Sequence, residues 1–299
     1  MNYLNHLLIY FCIYGILALS LNLAVGYCGL MTMAHSAYFA VGAYAYALLA
    51  QNIHWGFLPS LAVAMLVAMI LSLAVSLPTW RFKGDLFVMV ALGGQALIFS
   101  LLQNWTSADA PLGSWKNLTN GPFGIPGVPR PTLFGWQADS LPEYLLLAAI
   151  TLLACGFVVW RLVDSPWGRL LKCIRDDELA ARSLGKNTRK AKLEAFAFAC
   201  GLAAVAGALY AGYIGYIAPS SASLDESILM LCMVLVGGVG NFKGPLVGAA
   251  VLIALPEILR FAHFPDAVAA NMRLLIYGLL LVLIAHFRPQ GIAGEYRME

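Results

Sequence analysis

SPWGRLLKCIRDDELAARSLG, residues 165–185, is the most highly charged stretch of an otherwise apolar chain, and it sets how everything around it is read. Ser165 is placed as an N-cap, Pro166 holds the first helical position, and Gly185 stands where a helix would stop. Leu170, Ile174, Ala181 and Leu184 recur at helical spacing as a narrow apolar stripe. Glu178 precedes Arg182 by four residues, the favourable order for an ion pair. The spacing predicts a short amphipathic segment with helical turns on either side of a bend. Nine of the 18 Lys and Arg fall between Arg161 and Lys192, together with Asp164, Asp176, Asp177 and Glu178. Each such charge at a bilayer centre would cost about 2.5 to 3.5 kcal/mol, so the stretch lies in water. Taken alone, it is either a basic loop that fixes orientation or a surface that meets a partner.

Composition settles the class. With 61% apolar and 11% charged residues, the sequence has too little polar surface for a soluble protein of its length. It reads as an all-α, polytopic integral membrane protein of about 8–10 transmembrane helices. All 299 residues form one transmembrane domain, with an inner loop at about 161–192 and an outer loop at about 103–143. The net charge of +3 is concentrated in one loop instead of spread as a nucleic-acid footprint, so the expected surroundings are membrane lipid and no nucleic acid. The six cysteines form no CxxC pair and read as small packing residues, with no metal site. The first twenty residues lack a basic signal-peptide start and read as a retained first span.

Apolar runs near the length a bilayer requires fall at about Leu4–Val25, Thr32–Ala50, Phe57–Leu77, Leu86–Leu102, Tyr144–Trp160, Leu193–Ile217, Ile228–Val239, Pro245–Leu259 and Leu274–His286. The run Ile228–Val239 is short and reads as a half-span or re-entrant segment. Placing the loop 161–192 in the cytoplasm puts Arg81, Lys83, Lys243, Arg288 and Arg297 on the same side, and with them the C-terminus. It leaves Lys116 and Arg130 outside, in accord with the positive-inside rule.

Further features go beyond topology. Ala203, Gly207, Ala211 and Gly215 repeat every four residues, a face that lets another helix approach closely. LVGGVGNFKGPLVGA (235–249) has enough Gly and Pro to break a helix near the membrane surface, and no βαβ context makes its GxG a dinucleotide site. His35 is an ionisable group in an apolar stretch, hence a functional suspect; the plainer reading is a histidine bonded to a neighbouring helix. Asn22, His35, Tyr38 and Gln95 are the neutral polar candidates for a cargo path. Glu257 is the most plausible intramembrane acid. The outer TNGPFGIPGVPRP (119–131) is too rich in Pro and Gly to be a helix, and either caps a path, docks a partner or is a structured turn.

No GxxxxGK[ST], HExxH or GxSxG motif is present, so the chain reads as no enzyme, and any ATP chemistry belongs to another chain. A secondary transporter would need paired broken helices and a buried ion site. The Gly-broken regions 26–30 and 237–244 hint at a duplication but lack the acids.

GRLLKCIRDDELAARSLGKN (168–187) followed by KLEAFAFACGLAAVAGALYA (192–211) resembles the LivM-type permease subunits of branched-chain amino acid ABC importers. Glu178, Ala180, Ala181 and Gly185 match the E-x-A-A-x-x-x-G core of the loop by which importer permeases meet their ATPases, with Arg175 and Asp176 just before it. LNLAVGYCGLMTMAHSAYFAVGAY (21–44), TNGPFGIPG (119–127), 235–249 and FRPQGIAG (287–294) match in the same order, so the resemblance covers nearly the whole chain. It implies a multi-pass subunit of a bacterial inner membrane that forms the translocation path. The implied partners are a sister permease, two ATPase subunits holding ATP and Mg, and an external solute-binding protein. Ala34 stands before His35 where a glycine is usual, Asn120 replaces a second glycine, and Trp105–Leu118 is long. These departures touch the cargo, for which urea or another small amide is the alternative to a branched-chain amino acid.

Overall fold

The computed structural model describes residues 2–76, 85–107, 109–133, 135–261, 266–287 and 290–294. Arg81, Lys83, Arg288 and Arg297, which enter the orientation argument, lie outside these residues. The described helices are α1 (Asn2–Asn22), continued by a π-turn (Leu23–Tyr27), then α2 (His35–Asn52), α3 (Phe57–Ser76), α4 (Asp85–Asn104) and α5 (Leu141–Asp164). The short α6 (Pro166–Asp176) and α7 (Glu178–Ser183) follow, then α8 (Thr188–Ile214), α9 (Leu224–Gly237), α10 (Gly244–Phe261) and α11 (Asp266–Phe287). The chain is an all-α polytopic membrane protein, and four two-residue strands are its described sheet.

Among the described residues, five helices are long and apolar enough to cross a bilayer. Their burial sorts them. The spans Tyr3–Tyr27 and Thr188–Ile214 are 78% and 89% buried, whereas α3, α4 and α5 are 33% or less. So α1 and α8 form the centre, and the other three present apolar side chains outward, as a lipid-facing ring requires.

The centre is built on two breaks. Gly26-Tyr27-Cys28-Gly29 ends α1 and its π-turn; Gly212-Tyr213-Ile214-Gly215 ends α8. The last glycine of each adopts the left-handed conformation, with φ of +70° at Gly29 and +71° at Gly215, where a side chain would strain the backbone. After each break the chain restarts as a helix: α2 at His35 and α9 at Leu224. These helices run in opposite senses. The end of α2 meets the outer loop, where Gln51 Nε2 donates to the Pro126 carbonyl at 2.6 Å. The end of α9 meets the end of α1, where Gly240 N donates to Asn22 Oδ1 at 3.1 Å. A G-Y-x-G pattern thus precedes each restart, at 26–29 and 212–215, in addition to the glycine-rich break at 237–244. The 14 residues of α9 rise about 21 Å, short of a full span. The helix begins at 224 and not 228, because Ser223 caps it by accepting from Glu226 N.

The loop 105–140 is tied down and carries one short 3-10 turn, Gly121–Phe123. Strand β1 (Ile125–Pro126) pairs antiparallel with β4 (Tyr216–Ile217) at the second break, and β2 (Thr132–Leu133) pairs with β3 (Trp136–Gln137). On α8, Ala203, Gly207 and Ala211 are buried, and α2 packs closely along the helix. A Cβ on Gly207 would stand 2.0 Å from the Phe39 carbonyl oxygen, and one on Gly42 2.3 Å from Ala204 Cα, so the two helices touch backbone to backbone. Gly215 does not share that face: it is the left-handed cap that terminates α8.

Candidate functional site: a stapled hairpin, a polar junction and an inner knot

The charged stretch folds as two short helices at an angle. Ser165 Oγ accepts from Gly168 N at 3.3 Å and starts α6. Asp177, in extended conformation, makes the bend, and its carboxylate accepts from Leu179 N (2.8 Å) and Ala180 N (3.0 Å) to cap α7. Gly185, at φ +75°, ends the pair. Leu171, Ile174 and Ala181 form the buried side. The expected stripe is corrected at both ends: Leu170 is only half-buried, and Leu184 is 79% exposed because Gly185 turns the chain outward. With Leu179 (66% exposed) and the exposed Ala180, Leu184 gives the hairpin an apolar tip in a charged setting.

Glu178 staples this hairpin to the start of α8. Its Oε1 accepts from Arg182 Nη2 at 2.5 Å and from Thr188 Oγ1 at 3.1 Å, and its Oε2 from Lys192 Nζ at 2.8 Å. Arg182 Nε also donates to Thr188 Oγ1 at 3.0 Å, and Trp167 Nε1 to Glu194 Oε2 at 3.1 Å. Partial burial opposes ionisation of Glu178, but Lys192, Thr188 and Arg182 outweigh it and hold the carboxyl below its usual range. Arg175 turns the other way. Its Nε pairs with the exposed Asp176 at 2.9 Å, and its Nη1 donates to the Gly26 carbonyl at 2.8 Å.

At mid-depth the two restarted helices meet in a junction of neutral hydrogen-bonding groups. Ser36 N donates to Ser227 Oγ (3.1 Å), Ser227 Oγ to Ser36 Oγ (2.7 Å), and Ser36 Oγ to the Ser223 carbonyl (2.8 Å). From α4, Gln95 Nε2 donates to Ser36 Oγ (3.3 Å) and the Ala222 carbonyl (3.1 Å). Tyr14, midway along the span Tyr3–Tyr27, donates to Glu226 Oε2 at 3.4 Å, which fixes the depth at which α9 begins. Glu226 is thus an acid inside the bundle that the sequence reading passed over in favour of Glu257. The signal was there: Ser223-x-x-Glu226 has capping-box spacing.

The four path candidates are all buried, 4% exposed at most, and the structure puts them in separate settings. Gln95 belongs to the junction. His35 Nε2 lies 2.7 Å from Ser20 Oγ, which itself donates to the Leu17 carbonyl. Tyr38 packs edge-on against Phe196, and its hydroxyl has no hydrogen-bond partner among the described residues. Asn22 joins the inner knot: its Nδ2 donates to the Asn241 carbonyl at 3.0 Å and its Oδ1 accepts from Gly240 N. Ser36, Ser223 and Ser227 were not singled out from sequence, because serine in an apolar run carries no signal without its partner. Replacing Gln95 by Leu strands the Ala222 carbonyl, which costs about 1–3 kcal/mol for a buried acceptor left unpaired. The purified protein should melt several degrees lower in detergent; an unchanged melting temperature would show that the amide contributes nothing there.

Long helices around two opposed restarted helices, α2 and α9, with a charged hairpin stapled to one side, define a multi-pass membrane transport subunit. The family model described as branched-chain amino acid transport system / permease component matches residues 3–285, and the chain belongs to that family. It is 32% identical to the high-affinity branched-chain amino acid transport system permease protein LivM of Escherichia coli K12, over 96% of this chain and 69% of the relative. It is 24% identical to the probable branched-chain amino acid transport permease protein LivM of Methanocaldococcus jannaschii, over 98% and 93%. The autoinducer 2 import system permease protein LsrC of Salmonella paratyphi B is 28% identical over 69% and 58%. No solved structure matches the chain.

Proposed function

We propose that this chain is the permease subunit of an ATP-driven importer that admits branched-chain or related hydrophobic amino acids across a bacterial inner membrane. The observation that carries the reading is the hairpin 165–185. Its Leu179–Ala180–Leu184 tip is apolar and exposed, yet it is held by the Glu178 staple as one piece with α8. A rigid apolar tip in water is a surface for a partner's groove, and the partner must supply ATP hydrolysis because the chain carries no phosphate loop. Two ATPase subunits holding ATP and Mg, a sister permease and an external binding protein complete the machine. Asp176, Ala180, Ala181 and Gly185 serve the ATPase contact, and Arg175 and Glu178 tie the hairpin to the bundle behind it.

The hairpin side is then cytoplasmic. The C-terminal stretch 290–294 lies on that side too, since Ile292 N and Ala293 N donate to the Val236 and Gly237 carbonyls at the end of α9. The junction offers a zwitterion with an aliphatic tail neutral hydroxyls, an amide and one carboxylate. Gln95, Ser36 and Glu226 are its path residues, and His35 lies beside them. The test is purification of the chain with its co-purifying partners, followed by leucine uptake into proteoliposomes with binding protein and ATP. Uptake that requires ATP and a co-purified ATPase supports the reading. Uptake driven by an ion gradient without any ATPase would make it a secondary transporter.

A further inference from the structure

The route by which the hairpin reaches α2 and α9 can be traced atom by atom. Arg175 is buried along most of its length, its side chain 11% exposed. It does not lie on the apolar tip but points back into the bundle, where Nη1 takes the Gly26 carbonyl at 2.8 Å. Gly26 sits in the π-turn Leu23–Tyr27, wholly buried, where the widened turn leaves backbone carbonyls displaced from the α-helical ladder. Gly29, two positions past the turn, lies against the same arginine: a Cβ there would stand 3.1 Å from Arg175 Cγ. Lys172, one turn earlier on α6, places its Nζ 5.6 Å from the Tyr27 ring centre. The hairpin is therefore fastened to the first break by Arg175 and Lys172.

That break is fastened in turn to the second half. Gly26 has no room for a side chain because Asn22 Oδ1 and Gly240 N fill the space, at 2.0 and 2.6 Å from a Cβ. Asn22 bridges Gly240 N and the Asn241 carbonyl, and Asn241 Nδ2 donates to the Ala293 carbonyl at 2.8 Å. A displacement of Arg175 thus acts on one knot that holds both the turn leading into α2 and the end of α9. These are the helices whose starts form the polar junction.

We propose that Arg175 is the positioning residue that delivers the hairpin's movement to the Gly26–Asn22–Gly240 knot, and that Asn22 belongs to this transmission and not to the cargo path. The inference rests on the importer reading above. Arg175 works by holding a backbone carbonyl of the π-turn that leads into α2, so its loss uncouples the two machines without removing either. The partners still bind the exposed tip, ATP is still hydrolysed, and α2 and α9 no longer follow.

The test uses the whole complex in proteoliposomes, with binding protein and leucine, and reads ATP hydrolysis and uptake separately. Arg175→Met keeps length and loses the donors; Asn22→Ala keeps Arg175 and cuts the knot. In each, hydrolysis stimulated by loaded binding protein should stay within about twofold of wild type, while leucine carried per ATP falls about tenfold, a typical coupling energy between sites. Arg175→Lys, which still reaches one partner, should recover part of that ratio. Should Arg175→Met fail to insert, Asn22→Ala decides alone. Leucine per ATP at the wild-type value in Asn22→Ala, or hydrolysis and uptake falling together, overturns the route. Failure of the wild-type complex to show ATP-driven uptake sinks instead the importer reading on which it stands.

Discussion

Glu178→Lys is expected to lower uptake about a hundredfold, at the upper end of what coupling between sites carries, while the protein stays inserted and abundant. The staple explains why. Glu178 gathers Arg182, Thr188 and Lys192 onto one carboxylate, and a lysine in its place sets three cations together with no counter-charge. The hairpin then leaves the start of α8, and its apolar tip no longer moves with the spans. Insertion is spared because the staple involves only the hairpin and the polar first turns of α8, ahead of its apolar length. Glu178→Gln keeps an acceptor for Thr188 and Arg182 and should lose about tenfold, the share carried by charge. Uptake of both variants, divided by the amount of inserted protein, checks the order; wild-type transport in Glu178→Lys would reduce the hairpin to an orientation signal.

The same carboxylate sets an acid limit. Its pKa is lowered from 4.5, so the staple's contribution is fully present above the unfolded value and fades only as pH falls through the lower folded one. At neutral pH it is complete. Acidifying the hairpin side to pH 5.5 should leave the ratio of uptake to hydrolysis unchanged, and a loss in that range would assign the clamp to another titrating group.

How much of this was legible beforehand depended on the range of each signal. The bend in 165–185, its caps and the Glu178–Arg182 pair are local, and spacing of three and four residues reveals them. Lys192 and Thr188 join the staple from fourteen and ten residues away, on the next helix, and no periodicity announces that. The half-span is visible as a short apolar run from Ile228, but the helix starts four residues earlier, because its first turn holds the polar Asp225 and Glu226 that an apolar run excludes. Asn22 shows the limit most clearly. A neutral amide at the end of a span has the chemistry of a path residue, and only the fold reveals that Gly240 and Asn241 consume it. The repeated G-Y-x-G was present in the letters at 26–29 and 212–215. That each copy ends one helix just before another restarts shows only in the fold.

Gly207→Ala is expected to cost more folded protein than any other single methyl added to a glycine of α8. The approach of α2 to α8 is set by backbone, with the Phe39 oxygen 2.0 Å and the Ala43 nitrogen 2.9 Å from where the new Cβ would stand. No rotamer change relieves a clash with main-chain atoms, so the helices must separate. Separation also pulls Gly42 from Ala204 along the same seam. Overpacking a core costs typically about 1–3 kcal/mol, and this site belongs at the top of that range or above it because nothing nearby can yield. Gly215→Ala meets only strain, since its surroundings are open and φ is +71°, and should cost about 1 kcal/mol. Gly93→Ala, on the exposed side of α4 with no atom within 4 Å, should cost nothing measurable. Folded yield and melting temperature in detergent should therefore fall in the order Gly93→Ala, Gly215→Ala, Gly207→Ala, from least to most affected. If Gly207→Ala kept wild-type yield, the α2–α8 seam would have to be looser than its backbone contacts state, and the small-residue face would not be what holds the two halves together.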